Sequence, residues 1–195
     1  TYPEAAFTDA GAARETIERI AGDFFDRVVC PDEYADDPWM QFYFRTCALT
    51  TSIVWAMLVA TGLGKTTIVI VMMARWLKTV TLKGPIIYAV PRHKLGEKIR
   101  QQFLDHGTDA RIFRGRKADD PKAPASDPDR KMCMNLDAVK MAEIWGEDIS
   151  STCCKNKNME CRFFGQCGYQ TQKPARGNQP QVWIVASDML FHRQE

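Results

Sequence analysis

The first regular pattern along the chain is helical. In "FTDAGAARETIERIAGDFFDRV", Ala13, Ile17, Ile20, Phe24 and Val28 recur at three- or four-residue spacing, which places them on one helix face. Thr8 or Asp9 stands where a cap is needed. "CPDEYADDPW" is acidic and turn-rich and reads as a connection. The period then changes. "SIVWAMLV" (52–59) is a short continuous apolar run, the mark of a buried strand, and "KTTIVIVMMARWLKT" (65–79) reads as a helix. "GPIIYAV" (84–90) is a second strand, "HKLGEKIRQQFLDHG" a second helix ending near Gly107, and "ARIF" (110–113) a short third strand. This alternation predicts an α/β fold, a parallel sheet with helices on both faces.

After "FRGR" the pattern breaks. "KADDPKAPASDPDRK" (117–131) is rich in Pro, Asp and Lys and reads as a flexible surface loop. "LDAVKMAEIWG" predicts a short helix, a cysteine-rich stretch follows, and "QVWIVASDMLF" looks like a return to the sheet. Residues about 117–178 therefore read as an insertion in one domain spanning 51–195. Residues 1–50 form a separate helical, acidic segment. No internal repeat is visible.

The junction between the first strand and its helix carries chemistry. "VATGLGKTT" ends in Gly-Lys-Thr, as a phosphate-binding loop does, although Val59 stands where the general motif has Gly. Gly62 and Gly64 let backbone N–H groups curl around phosphate oxygens, and the following helix N-terminus favours an anion. Thr61, Gly62, Leu63, Gly64, Lys65, Thr66 and Thr67 form the candidate ATP site. Lys65 would reach the β- and γ-phosphates, and the Thr66 hydroxyl would join the Mg²⁺ shell. These two are the candidate catalytic residues. The acidic partner of such loops, an apolar strand ending in Asp-Glu, is missing. Asp188 follows "VWIVAS" but with Ala186 and Ser187 between, so that acid is expected beyond Glu195.

Composition narrows the class. The chain is 45% hydrophobic and 26% charged, the profile of a globular protein that can bury a core. No run of about 18 apolar residues exists, so no membrane partner is expected. The first 50 residues hold 10 acidic and 4 basic side chains, net −6; the rest hold 22 basic and 14 acidic, net +8. A basic remainder beside a phosphate loop is compatible with nucleic acid.

Of seven cysteines, Cys133, Cys153, Cys154, Cys161 and Cys167 fall within 35 residues. Beside an ATP-type loop they read as reduced thiols of a cytoplasmic protein, and so as metal ligands. The CxxC knuckles usual in zinc ribbons are absent. Wide, irregular spacing suits a 4Fe–4S cluster, with Zn²⁺ or free thiols as the alternatives. Adjacent Cys153 and Cys154 would not share one centre. Cys154 is the preferred ligand and Cys153 its alternative, with Cys133, Cys161 and Cys167 completing the set. Cys30 and Cys47 read as structural, and His106 and His192 as surface or capping residues. Phe163, Phe164 and Tyr169 lie among Lys155, Lys157, Arg162, Lys173 and Arg176. They could stack bases of single-stranded nucleic acid or pack around the cluster.

Loop and cysteines together resemble the superfamily-two iron–sulfur DNA helicases, the XPD and DinG group. In that group a four-cysteine cluster sits inside the first RecA-like domain, between the Walker A and Walker B motifs. Cys133 to Cys167 hold the corresponding place downstream of "TGLGKT". "IIYAVPRHKL", "FRGRK … DRKMC" and "VWIVASDMLFH" resemble further motifs of the group. "CRFFGQCGYQTQ" is loosely similar to helicase-like proteins encoded near primases on phages and plasmids.

The resemblance covers about residues 50–195. It implies the ATP-binding domain of a helicase acting on single-stranded or forked DNA in replication or repair. Arg92 and His93 would be backbone contacts, with Arg114, Arg116 and Arg162 as further ones. Arg92 stands where the group often has Thr. The Asp-Glu box and the second RecA-like domain are absent, so that domain is expected in a longer parent chain and the isolated chain is expected to be inactive. A zinc-bearing P-loop ATPase or kinase, or a non-hydrolysing nucleic-acid-binding module, are the rival readings.

Overall fold

The computed structural model describes residues 9–28, 62–80, 82, 84–175 and 177–191. The expected strand at 52–59, Thr61, Cys30, Cys47, Arg176 and His192 lie outside these. The chain divides into two compact units, one of residues up to Lys83 plus Gln101–Thr108, the other of Gly84–Arg100 plus Asp109–Glu195.

In the first unit, α1 (Ala10–Val28) packs on α2 (Lys65–Trp76). Asp9 caps α1, its carboxylate accepting from the Gly11 N–H at 2.9 Å and the Ala12 N–H at 3.4 Å. This satisfies two of the N–H groups that a helix start leaves without partners. The covered face shares Ala13 and Ile17 with the one that the periodicity marks but then runs through Ala21 and Phe25, while Ile20 and Phe24 are half-buried. Ala13, Ile17, Ala21 and Phe25 are buried, as are Ile70, Ala74 and Leu77 of the α2 segment, and the Phe25 and Trp76 rings lie 5.4 Å apart. The helix α3 (His93–Asp105) ends in this unit at Gly107, whose φ of +78° admits glycine readily. The Thr108 N–H reaches back to the Phe103 carbonyl and the Gly107 N–H to Leu104, the double bond that closes many helices.

The second unit is mixed α/β, built on a three-stranded parallel sheet in the order β1 (Ile86–Val90), β3 (Val182–Ala186), β2 (Ala110–Phe113). All three strands fall where the apolar runs predict them. β3 lies between the other two, pairing Ile184 with Tyr88 on one side and with Ile112 on the other. Its five residues are all buried, which suits the unbroken run "VWIVA". α3 lies against the sheet at Gly96, where a Cβ would stand 3.3 Å from the Ile184 side chain.

Everything from Arg114 to Gln181 thus connects two adjacent strands. Its two ends are tied to the sheet. Gln181 accepts the Asp109 N–H through its side chain and gives its own N–H to the Asp109 carbonyl. The Gln172 amide exchanges both its hydrogen bonds with the backbone of Arg114, at 3.0 and 2.8 Å. Between these anchors lie α4 (Leu136–Trp145), a π-type turn (Ser150–Cys154) and α5 (Gly168–Thr171), and a 3₁₀ turn (Ser187–Phe191) follows β3.

The stretch 117–131 is the turn-rich, largely exposed surface loop that its composition suggests. It folds back on itself. Asp120 is 6% exposed and is gripped by the Arg130 guanidinium at 2.7 and 3.1 Å, while the Asp120 N–H bonds the Arg130 carbonyl. A buried carboxylate needs such a partner, and here the partner lies ten residues away on the same loop.

Ile184→Ala should test how far the second unit depends on β3. Ile184 is fully buried, and its truncation should cost about 2–5 kcal/mol. Denaturant unfolding should show this as a lower midpoint, with Ile184→Val costing about 0.5–1.5 kcal/mol.

Candidate functional site

The described part of the candidate phosphate loop, from Gly62 on, belongs to the first unit. Gly62 and Gly64 both have positive φ, +86° and +77°, and Gly64 is the residue from which α2 starts. A side chain at either position would strain the backbone even though the space is open. The carbonyl of Gly64 accepts the Ile68 N–H at 3.0 Å. The N–H groups of the first turn point away from the helix's own bonds, toward the loop. Lys65 is half-buried, Thr66 and Thr67 are exposed, and the Thr67 hydroxyl accepts a hydrogen bond from Gln102 at 3.3 Å.

The cysteines belong to the second unit. Three separate stretches carry them to one place. Cys133 follows Met132, which pairs backbone with Ala118, while the Cys133 N–H bonds the Arg116 carbonyl. Cys153 and Cys154 end the π-type turn, and Cys167 precedes α5. Cys154 and Cys161 face each other across the neck of a small hairpin. The Cys161 N–H donates to the Cys154 carbonyl at 2.8 Å, Lys155 and Glu160 pair in backbone and as an ion pair, and the Asn156 N–H closes on Met159. The Asn156 carboxamide holds the tip, accepting from the N–H groups of Asn158 and Met159 at 2.7 and 2.9 Å.

The five thiols line one cavity of about 10 Å³, with Phe163, Phe164, Asn135 and Val139 among the other walls. That is room for about one water. None of the five is in a disulfide. Among the described residues, no three His, Cys, Asp or Glu side chains converge as a ready single-ion site. The donor chemistry fits a thiolate-bound metal group. A bound group would need the hairpin neck with Cys154 and Cys161, the less buried of the five, to move outward.

Two of the thiols are coupled. A hydrogen bond from the Cys133 thiol, helped by the N–H groups of Gln170, Met134 and Tyr169, outweighs burial and pulls Cys167 down to about 5. The same hydrogen bond, with burial, pushes Cys133 far up. Two sulfurs side by side cannot both ionise cheaply, so the pair holds one proton between them. The Cys167 sulfur also lies 3.3 Å from the Met132 carbonyl, a contact that suits a thiol; the surrounding donors favour the thiolate. Cys153 is different. Burial, before any charge, raises it, and its thiol donates to the Ala138 carbonyl at 3.2 Å.

The aromatics pack around the thiols. Tyr169 is buried in a core with Met132, Cys133, Val139 and Cys167, and touches Phe113 of β2, which in turn meets Trp183 of β3. Cations cover the rings. Arg116 lies 4.2 Å over Tyr169, Lys173 5.0 Å over the same ring, Lys155 5.2 Å over Phe164 and Arg162 4.5 Å over Phe163.

The candidate nucleic-acid contacts divide. Arg162 and Arg92 are exposed, and the Arg92 carbonyl accepts the Leu95 and Gly96 N–H groups at the start of α3. His93 begins that helix, and its side chain lies outside the described residues. Arg114 is 13% exposed and ion-paired to Glu97, and Arg116 is half-buried on Tyr169. Both guanidinium groups face protein. Asp188 is exposed in the turn after β3.

Some of the site was not read from the sequence. The Asp120–Arg130 pair, the Gln172 bridge and the Asn156 turn are absent from the reading. Only the last had a local signal, "NKN" between two cysteines, a turn-forming pair of asparagines. Comparison with family models, with curated proteins and with solved structures returned no match.

Asn156→Ala should loosen the hairpin neck. It removes three hydrogen bonds, including one from its carboxamide to the Ser151 carbonyl. The loss should be about 1–3 kcal/mol in the local opening of the hairpin. Hydrogen exchange at the Cys161 amide should quicken accordingly, while the Ile184 amide stays as slow as before.

Proposed function

We propose that the chain is the ATP-binding motor domain of an iron–sulfur DNA helicase, a RecA-like P-loop domain whose partner domain lies elsewhere in a longer parent chain. The observation that carries this reading is the meeting of Cys133, Cys154, Cys161 and Cys167, drawn from three separate stretches, around one cavity in the segment that connects two neighbouring strands of a parallel sheet. The cavity walls offer thiols and no histidine, the soft donor set that iron–sulfur clusters take, with four-thiolate zinc as the alternative. The strand Val182–Ala186 followed by a helical turn also accords with the group's motif.

The roles follow from the chemistry. Backbone N–H groups of the Gly62–Gly64 loop and the Lys65 ammonium would neutralise the β- and γ-phosphates, and Thr66 would hold Mg²⁺. Cys154 is taken as the ligand of its pair, because it is the one set against Cys161 across the hairpin neck. When bound, the cluster would link three chain segments through iron–thiolate bonds. Exposed Arg162 and Arg92 are the guanidinium groups free to meet DNA phosphates, and Arg114 and Arg116 serve the fold instead.

Anaerobic purification with a visible spectrum and assays of iron, sulfide and zinc tests the reading. A broad band near roughly 400 nm with about four irons is the expected result. Cys161→Ser and Cys167→Ser should lose the band, and Cys153→Ser should keep it. Stoichiometric zinc without iron would replace the reading with a zinc-bearing ATPase. Protein free of both metals would end it.

Lys65→Ala should weaken ATP binding about ten- to hundredfold, the worth of a charge-assisted hydrogen bond. Titration calorimetry with a non-hydrolysable analogue measures this, and an unchanged affinity would remove the nucleotide site.

A further inference from the structure

Cys167 is buried beside Cys133, and the residue after it is Gly168. A Cβ on Gly168 would stand 2.9 Å from the Asp120 Oδ2 atom, 3.1 Å from its Cγ and 3.2 Å from the Met132 sulfur. Such contacts require something to shift, and the carboxylate is not free to do so. Oδ2 is held by two guanidinium nitrogens of Arg130, Oδ1 accepts the Lys122 N–H at 2.8 Å, and Arg130 is itself fixed to the Lys122 carbonyl at 3.0 Å. The Met132 sulfur, near the end of a flexible side chain, is the softer of the two neighbours, so the locked carboxylate is the one that resists. The loop and the start of α5 therefore meet at a point where no side chain fits.

We propose that the Asp120–Arg130 ion pair is a clasp that positions Cys167, pressing a locked carboxylate against Gly168 and so setting the sulfur beside Cys133. Asp120 and Arg130 touch neither nucleotide nor thiol, so they are positioning residues. Their link to metal binding rests on the iron–sulfur reading. The placement of the sulfur does not.

The test follows alkylation of each cysteine by iodoacetamide, resolved by mass spectrometry, in metal-free protein. A parallel measurement takes iron and sulfide content in anaerobic preparations. Gly168→Ala should speed Cys167 modification roughly tenfold, as overpacking strain shifts a local opening, with Cys153 unchanged. It should also lower iron content relative to the parent. Gly165→Ala, where a Cβ meets nothing within 4 Å, should alter neither. Asp120→Ala should expose Cys167 as well, and the Asp120→Ala/Gly168→Ala pair should be no faster than Asp120→Ala alone, because both act through one contact.

Three results would overturn the clasp. These are an unchanged Cys167 in Gly168→Ala, an equal loss of protection at Cys153, or effects of the two substitutions that multiply. A parent protein that takes up no metal would end the cluster reading, and alkylation would still decide the clasp.

Discussion

A strand buried along its whole length can satisfy its backbone only through its neighbours. Val182–Ala186 is in that position, and it finds a parallel partner on each side. The rest of the second unit depends on this. Because the strand enters between β1 and β2, the chain must leave β2 and come back beside it, and the whole cysteine-bearing stretch becomes a loop with both ends pinned to one sheet. An insertion closed in this way can carry an irregular, turn-rich interior, since its anchors are set by hydrogen-bond register and not by its own packing.

The interior is then organised by small local devices. Gln172 imitates a strand neighbour for the backbone of Arg114. The Asn156 carboxamide turns the hairpin that sets Cys154 against Cys161. Phe113 transmits the position of β2 to Tyr169 through an edge-to-face contact at 5.6 Å. Each ties a thiol-bearing stretch to something more rigid. The candidate phosphate loop is organised on another principle: in its described part, two left-handed glycines lead into a helix start.

What was legible in the sequence follows from the range of the interactions. The apolar runs at 86–90, 110–113 and 182–186 announce strands because burial depends on each residue's own side chain. The Asp9 cap and the stop at Gly107 are equally local. The order β1–β3–β2 is not local, and no pattern in "VWIVA" says which strands it will join. The loop 117–131 is legible as a turn-rich surface stretch, but not in how it closes on itself. Its Pro and Asp content signals turns, but the pairing of Asp120 with Arg130 depends on a fold that brings them together. Cysteine spacing exposed a candidate metal set, yet could not separate Cys153 from Cys154. That choice rests on the pairing of Cys154 with Cys161 across the hairpin neck, which spacing alone does not show. For Arg114 and Arg116, the resemblance suggests nucleic-acid contacts, and no pattern in the sequence signals that one pairs with Glu97 and the other lies over Tyr169.

The nearness of Cys133 and Cys167 has a consequence for the unfolded chain. The span from Cys133 to Cys167 is thirty-five residues, counting both, yet in the folded protein a hydrogen bond already joins the two side chains. Any group that bridged them would leave the native arrangement nearly as it is and act on the denatured ensemble, closing a loop there and removing chain entropy worth about 4 kcal/mol. The bridge would thus act as a ratchet on folding, its benefit appearing only when the rest of the module lets go.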